Sequence, residues 1–201
     1  MKYGYYPGCS LLSSAAEYAI SAQGVMQTMG VELEEIDDWV CCGATPAHAT
    51  SHLLSVSLPA ISCANSEKQG LDVLTCCTAC YSRLKQANQE LKDSPELLAQ
   101  INGIIEEDYK ASIDVVHITE VLARQVGLDA IRERVVKPLE GLKVACYYGC
   151  LIARLPEALR IDNVEYPHIM DDLMSAVGAE PIDWPHKSEC CGAALTLARN
   201  E

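Results

Sequence analysis

Apolar residues recur at Leu12, Ala15, Ala16, Ala19, Val25, Met26 and Met29, the spacing of one helix face. They predict a helix over residues 11–29, with Gly30 where a C-terminal cap belongs. Val31, Leu33 and Ile36 predict a short strand. Residues 52–70 read as a second amphipathic helix, started or interrupted near Pro59. Residues 71–75 form a buried strand, and a further helix begins at Tyr81. The pattern over 94–127 is helical and polar on one face, with breaks near Asn102-Gly103 and Lys110-Ala111. Within it, residues 117–123 read as a docking helix. Residues 137–141 read as a turn or linker, and the domain boundary is placed there, giving units 1–138 and 139–201.

The pattern then restarts. Residues 142–148 predict a strand, 166–178 a helix with Ile169, Leu173, Met174 and Val177 on one face, and 179–183 a strand. The order of elements implies an α/β class, with short parallel sheets flanked by helices in two related units. The restart is also a repeat in residues. Tyr5-Tyr6-Pro7-Gly8-Cys9 is answered by Tyr147-Tyr148-Gly149-Cys150, and Cys41-Cys42-Gly43 by Cys190-Cys191-Gly192. The second spacing is eight residues longer than the first, which an insertion around 155–167 accounts for. Copying the first spacing forward places a second Cys-x-x-Cys at about 226 and 229, past Glu201. The sequence therefore predicts a second unit cut short before that pair, ending in the helix-forming run from Ala193 to Arg199.

Cysteine is the candidate chemistry. Cys9, Cys41, Cys42, Cys77 and Cys80 are five thiols that a compact fold can bring to one place. Cys77 and Cys80 sit between a strand end and a helix start, where α/β folds gather ligands and a helix dipole favours thiolates. Adjacent thiols such as Cys41 and Cys42 suit a cluster of several metal atoms, because neighbours can reach different irons. Two alternatives stand beside this reading: small buried residues, or zinc held by four of the five. Cys63, Cys76 and Cys146 fall outside the pattern and read as structural. His48 and His52, four apart, read as a solvated pair, and His186 lies just before Cys190. Tyr5, Tyr6, Tyr147 and Tyr148 either line a substrate cleft or pack around the ligand loops.

Eleven cysteines in a chain with no secretory signal and no apolar run of membrane length predict a cytoplasmic protein with reduced thiols. A formal charge of −13 argues against nucleic-acid or anionic-membrane partners and for basic partner surfaces. No Gly-rich phosphate loop points to a nucleotide of the chain's own.

The run C-x31-CCG-x33-CxxC, followed by C-x39-CCG, resembles the cysteine-rich CCG domain family, and within it the B subunits of heterodisulfide reductases and their bacterial homologues. The stretches around Tyr-Tyr-Pro-Gly-Cys9, residues 79–85, residues 138–150 and Cys190-Cys191-Gly192-Ala193-Ala194 carry the likeness. The resemblance implies a noncubane [4Fe-4S] cluster at each CCG motif and reduction of a small-molecule disulfide. It implies Cys9, Cys41, Cys42, Cys77 and Cys80 as the complete first ligand set, and Cys150, Cys190 and Cys191 as three of five positions in the second. It implies partners too: an iron–sulfur protein like the C subunit of heterodisulfide reductases and a flavin-containing protein like their A subunit. With its second set incomplete, the chain is expected to be inactive alone and to hold metal at the first five cysteines only. Where the first site is empty, two of its thiols are expected to be near enough to join as a disulfide. CCG domains also resemble the electron-transfer subunits of flavin-linked hydroxyacid dehydrogenases. Those usually carry a C-x2-C-x2-C-x3-C run, which does not occur here.

Overall fold

The computed structural model describes residues 1–195, so most of the 193–199 run lies outside the described residues. The chain packs as two compact units, Met1–Ile118 and Thr119–Glu201. Residues 119–138, placed in the first domain by the sequence reading, fall in the second of these units.

Four parallel strands form the sheet of the first unit: β1 (Lys2–Tyr6), β2 (Glu32–Glu35), β3 (Val73–Thr75) and β4 (Val115–His117). Their order is β2-β1-β3-β4, with Tyr3 opposite Leu33, Tyr5 opposite Leu74 and Leu74 opposite Val116. Parallel neighbours need crossovers, and helices supply them. The helices are α1 (Gly8–Leu11), α2 (Ala16–Thr28), α3 (Ala44–Thr50), α4 (His52–Lys68), α5 (Thr78–Asp93) and α6 (Pro95–Ile105). The core is the sheet with the inner helix faces, including Tyr6, Met26, Val73, Leu74, Tyr81, Leu84 and Ile101, none more than about 1% exposed. Ser51 caps α4 and Ser94 caps α6 through their side-chain oxygens, each satisfying an orphan N–H of a first turn.

The α/β class with short parallel sheets is borne out, and several boundaries move. The predicted helix over 11–29 is two helices, with Cys9 inside α1 instead of in a preceding loop. Helix α4 runs unbroken through Pro59. Pro59 is buried within α4, which packs on α3, α5 and α6, so tertiary packing outweighs the proline's local penalty. Asn102-Gly103 does not break α6, which runs to Ile105 and is followed by Glu106 as a left-handed C-cap. The docking helix expected from His117 is preceded by strand β4, whose last residue is His117 itself.

In the second unit α7 (Ile118–Glu120) continues into a π-helical segment, Val121–Gly127, and then α8 (Leu128–Arg134). Two short parallel strands follow, β5 (Lys143–Val144) and β6 (Glu180–Pro181), with α9 (Gly149–Ala153) and α10 (Ile169–Ala176) between them. Ile169, Leu173 and Ala176 form the buried face of α10, which packs on α8, the π-helical segment and β6. No helix among the described residues is long and apolar enough to cross a membrane.

Two stability changes follow from this packing. Gly43 holds φ +74°, and a Cβ there would stand 2.5 Å from the Ala47 side chain and 2.8 Å from Leu58. Gly24 lies inside α2 with nothing within 4 Å of a Cβ. Urea unfolding should therefore show Gly43→Ala less stable by about 1–3 kcal/mol and Gly24→Ala more stable by about 0.5–1 kcal/mol. Burial also holds His117 neutral, lowering its pKa from 6.5 to about 4. The unfolded chain then binds a proton that the folded chain refuses as pH falls from about 6.5 to 4. Stability should drop over that window by up to ~3 kcal/mol, and a His117→Asn chain should lose that part of the acid sensitivity.

Candidate metal centre

Strand order reverses between β1 and β3, because the chain goes to one side of β1 for β2 and to the other for β3 and β4. At such a switch point the loops leaving the carboxyl ends of the strands diverge and open a crevice where α/β sheets take ligands. Every cysteine of the five-residue set follows one of these ends. Cys9 follows β1 through Pro7-Gly8. Cys41 and Cys42 follow β2 through the Asp37-Asp38 turn. Cys77 and Cys80 follow β3, with Cys77 as N-cap of α5 and Cys80 in its first turn.

The loops bring the thiols together. Cys42 Sγ and Cys80 Sγ are 3.5 Å apart. The Cys77 and Cys80 thiols also influence each other's ionisation, as do those of Cys41 and Cys9. Gly8 closes the set: a Cβ on it would lie 3.0 Å from Cys80 Sγ, so the turn carrying Cys9 rests on that sulfur. The thiols meet in pairs, and among the described residues no three donors surround one point as a single metal ion requires. All eleven cysteines are free thiols, so none of the contacts is a disulfide.

Proton sharing sorts these thiols. Hydrogen bonding to Cys80 lowers the Cys77 pKa to about 6, helped by the backbone N–H groups of Ala79 and Cys80 at the start of α5. The same partner lowers Cys42 to about 7, with further help from the Ala44 N–H and the charge of Arg83. Cys80, flanked by both, is pushed up and keeps its proton longest. Thiolates are the metal-binding form of cysteine, so two of the five are ready for a metal at neutral pH. The 3.5 Å Cys42–Cys80 separation is near the ~3.8 Å edge of a thiolate tetrahedron with metal–sulfur bonds of about 2.3 Å. The donor set and its glycine-cleared approach fit a thiolate-held metal cluster.

The bystanders separate cleanly. Cys63 and Cys76 are buried and their thiols are pushed up to about 12, so both stay neutral. His48 and His52 lie on different helices, and His52 Nε2 meets Glu90 at 2.8 Å. Tyr5 and Tyr6 are core residues.

The second unit repeats the plan. Cys150 sits in α9, where burial and the neighbouring Cys190 raise its pKa. Cys191 is exposed, and the Gly192 N–H lies 3.4 Å from Cys190 Sγ. Gly149 and Gly192 hold φ +69° and +77°, as Gly8 and Gly43 hold +67° and +74°. The Lys187 carbonyl accepts from the Tyr148 and Gly149 N–H groups at 2.7 and 3.2 Å, tying the two cysteine-bearing segments. Burial pushes Cys146 up to about 11. It lies in a polar cluster that sequence reasoning missed: Asp171 bonds to the Tyr148 hydroxyl and pairs with Lys187 at 3.3 Å. His186 pairs with Glu189 at 2.7 Å on the surface.

Comparison with known proteins agrees with this geometry. The family described as cysteine-rich domain, CCG, matches residues 3–85 and 144–201. The 8-methylmenaquinol:fumarate reductase membrane anchor subunit of Wolinella succinogenes is 31% identical over 95% of this chain and 67% of its own. The B subunit of the ferredoxin/F(420)H(2)-dependent CoB-CoM heterodisulfide reductase of Methanosarcina acetivorans is 30% identical over 96% of this chain and 65% of its own. The chain thus spans about two thirds of the length of these relatives. A crystal structure of a hypothetical protein from Helicobacter pylori shares the fold, with a TM-score of 0.71 at 13% identity over 96% of this chain and 35% of that one.

Alkylation of the metal-free chain tests the sorting of the thiols. As pH rises, iodoacetamide should modify Cys77 with a midpoint near pH 6 and Cys42 near pH 7, while Cys63 and Cys76 stay unmodified below pH 9. Site-resolved mass spectrometry reads the four separately. Equal labelling of Cys76 and Cys77 at pH 7 would refute the assignment.

Proposed function

The chain belongs to the cysteine-rich CCG domain family, and on that premise we propose that it is an iron–sulfur, disulfide-reducing oxidoreductase subunit. The observation carrying this reading is the meeting of three cysteine loops at one switch point, with Cys42 and Cys80 in sulfur–sulfur contact. Cys9, Cys41, Cys42, Cys77 and Cys80 hold the first cluster, of the noncubane [4Fe-4S] type. Cys150, Cys190 and Cys191 carry the matching positions in the second unit, and each unit is one CCG module. When bound, such a cluster supplies single electrons and an iron that takes one sulfur of a disulfide.

The chain's own residues set up that chemistry. Cys42 and Cys77 offer thiolates at neutral pH, so metal binding displaces fewer protons than it would from ordinary thiols. Gly8 leaves the space beside Cys80 open. Cys9 and Cys41 are the exposed members of the set, so the approach from solvent lies on their side, while Cys42 and Cys80 form its buried floor. Arg83 offsets part of the negative charge that the thiolates gather. The electrons come from a partner iron–sulfur protein, itself served by a flavin-containing one, and the substrate is a small-molecule disulfide.

Similarity to the fumarate reductase membrane anchor favours a second reading, in which the clusters pass electrons onward without disulfide chemistry. Zinc at the same thiols is the third, and metal analysis separates it. Anaerobic reconstitution with iron and sulfide should give about four irons per complete cysteine set, and Cys42→Ser should lose them. Zinc binding without iron uptake would overturn the proposal. With iron in place, a small disulfide should reoxidise the chemically reduced cluster in a single turnover, which does not require a complete second set. A cluster that is reoxidised by quinone analogues but not by disulfides would select the electron-transfer reading.

A further inference from the structure

Tyr6 stands three residues before Cys9, and Tyr147 three before Cys150. Tyr6 is wholly buried, and its hydroxyl donates to the Val40 carbonyl at 2.7 Å. That bond fixes the phenol to the residue immediately before Cys41. Ser62 completes the hold: its hydroxyl accepts from the Val40 N–H at 3.1 Å and donates to the Val40 carbonyl at 3.3 Å. In the second unit the Tyr147 hydroxyl donates to the Glu189 carbonyl at 2.6 Å. Glu189 precedes Cys190 just as Val40 precedes Cys41.

These contacts are the same contact. They join residues 34 and 42 apart, and the difference of eight is the length by which the second repeat exceeds the first. In both units the ring also lies below the left-handed glycine before the first cysteine. A Cβ would come within 3.3 Å of the ring at Gly8 and 3.6 Å at Gly149. A tryptophan from the CCG-bearing segment packs on each ring: Trp39 edge-on at 5.3 Å and Trp184 at 5.9 Å. Phenylalanine would fill the same volume without the cost of burying a hydroxyl, so the oxygen is what the position calls for.

We infer that Tyr6 and Tyr147 are positioning residues that latch the Cys-Cys-Gly loop of each unit to the loop carrying its first cysteine. In the first unit the latch extends toward the thiols the tie that begins with the Ile36 N–H donating to the Tyr5 carbonyl at 3.1 Å. The role toward a cluster rests on the iron–sulfur reading, whereas the latch itself does not.

The test uses Tyr6→Phe and Tyr147→Phe in the full chain, with wild-type circular dichroism as the check on folding. In the metal-free chain, Tyr6→Phe should raise iodoacetamide rates at Cys41 and Cys42 by ~10-fold and leave Cys190 and Cys191 unchanged. Tyr147→Phe should do the reverse. After reconstitution, Tyr6→Phe should alter the electron paramagnetic resonance g-values and retain less iron on gel filtration. Rates within about twofold of wild type, or a rise spread over both units, would overturn the latch. An unaltered spectrum with full iron retention would remove its bearing on the cluster. If the wild-type chain takes up no iron, the iron–sulfur reading falls while the alkylation pattern still decides the latch. If Tyr6→Phe does not fold, Tyr147→Phe decides, because that side chain is 43% exposed and supports little of the core.

Discussion

Strand β1 is paired on both sides, with β2 at one edge and β3 at the other, all pointing the same way. Parallel pairing forces each connection to cross over and re-enter at the opposite end of the sheet, so every strand leaves its carboxyl terminus on one rim. Three strands therefore deliver three loops to the same place. The cysteines need no long-range recognition of one another to meet, because the sheet register already measures the distances between the segments that carry them. Very little sheet is needed for this: β3 and β4 are three residues each, fully buried, and packed against α5.

What the rim gathers is costly to gather. Thiolates repel one another, and partial burial strips them of water. The fold manages this by sharing protons among Cys42, Cys77 and Cys80, by presenting the N–H groups of the first turn of α5, and by placing Arg83 nearby. The overall charge of −13 makes that local compensation more pertinent, since the rest of the molecule offers little positive potential. Buried Cys63 and Cys76 show the contrasting environment. They have the same side chain but no helix terminus or shared proton, and they are neutral thiols that serve packing.

Much of this was legible in the residues. The cysteine spacing, the repeat, helices α4 and α5 and the strands before Cys41 and Cys77 follow from periodicity and from the placement of Gly and Cys, whereas β1, the strand before Cys9, is absent from the predicted elements. Strand β4 did not follow, because Val115-Val116-His117 is too short a run to show a period and it abuts a helical pattern. Cys9 lies in a helix of one turn that its neighbours hold, and no propensity announces such a turn. The break expected at Pro59 fails for a related reason, since the packing of α4 on α3, α5 and α6 overrides a local preference. His48 and His52, four apart in sequence, do not share a helix. Ser51 adopts an extended conformation and starts a new one between them.

Both tyrosine hydroxyls bind main-chain oxygen, and every residue type supplies the same carbonyl. The acceptor position is accordingly valine in one unit and glutamate in the other, an apolar side chain and a charged one serving the same bond. Family profiles score side-chain identity, so they can register the donor column but will treat the acceptor column as noise. A fold that anchors its reactive loops in this way keeps half of each anchoring pair out of sight of sequence alignment, and lets that half drift without consequence.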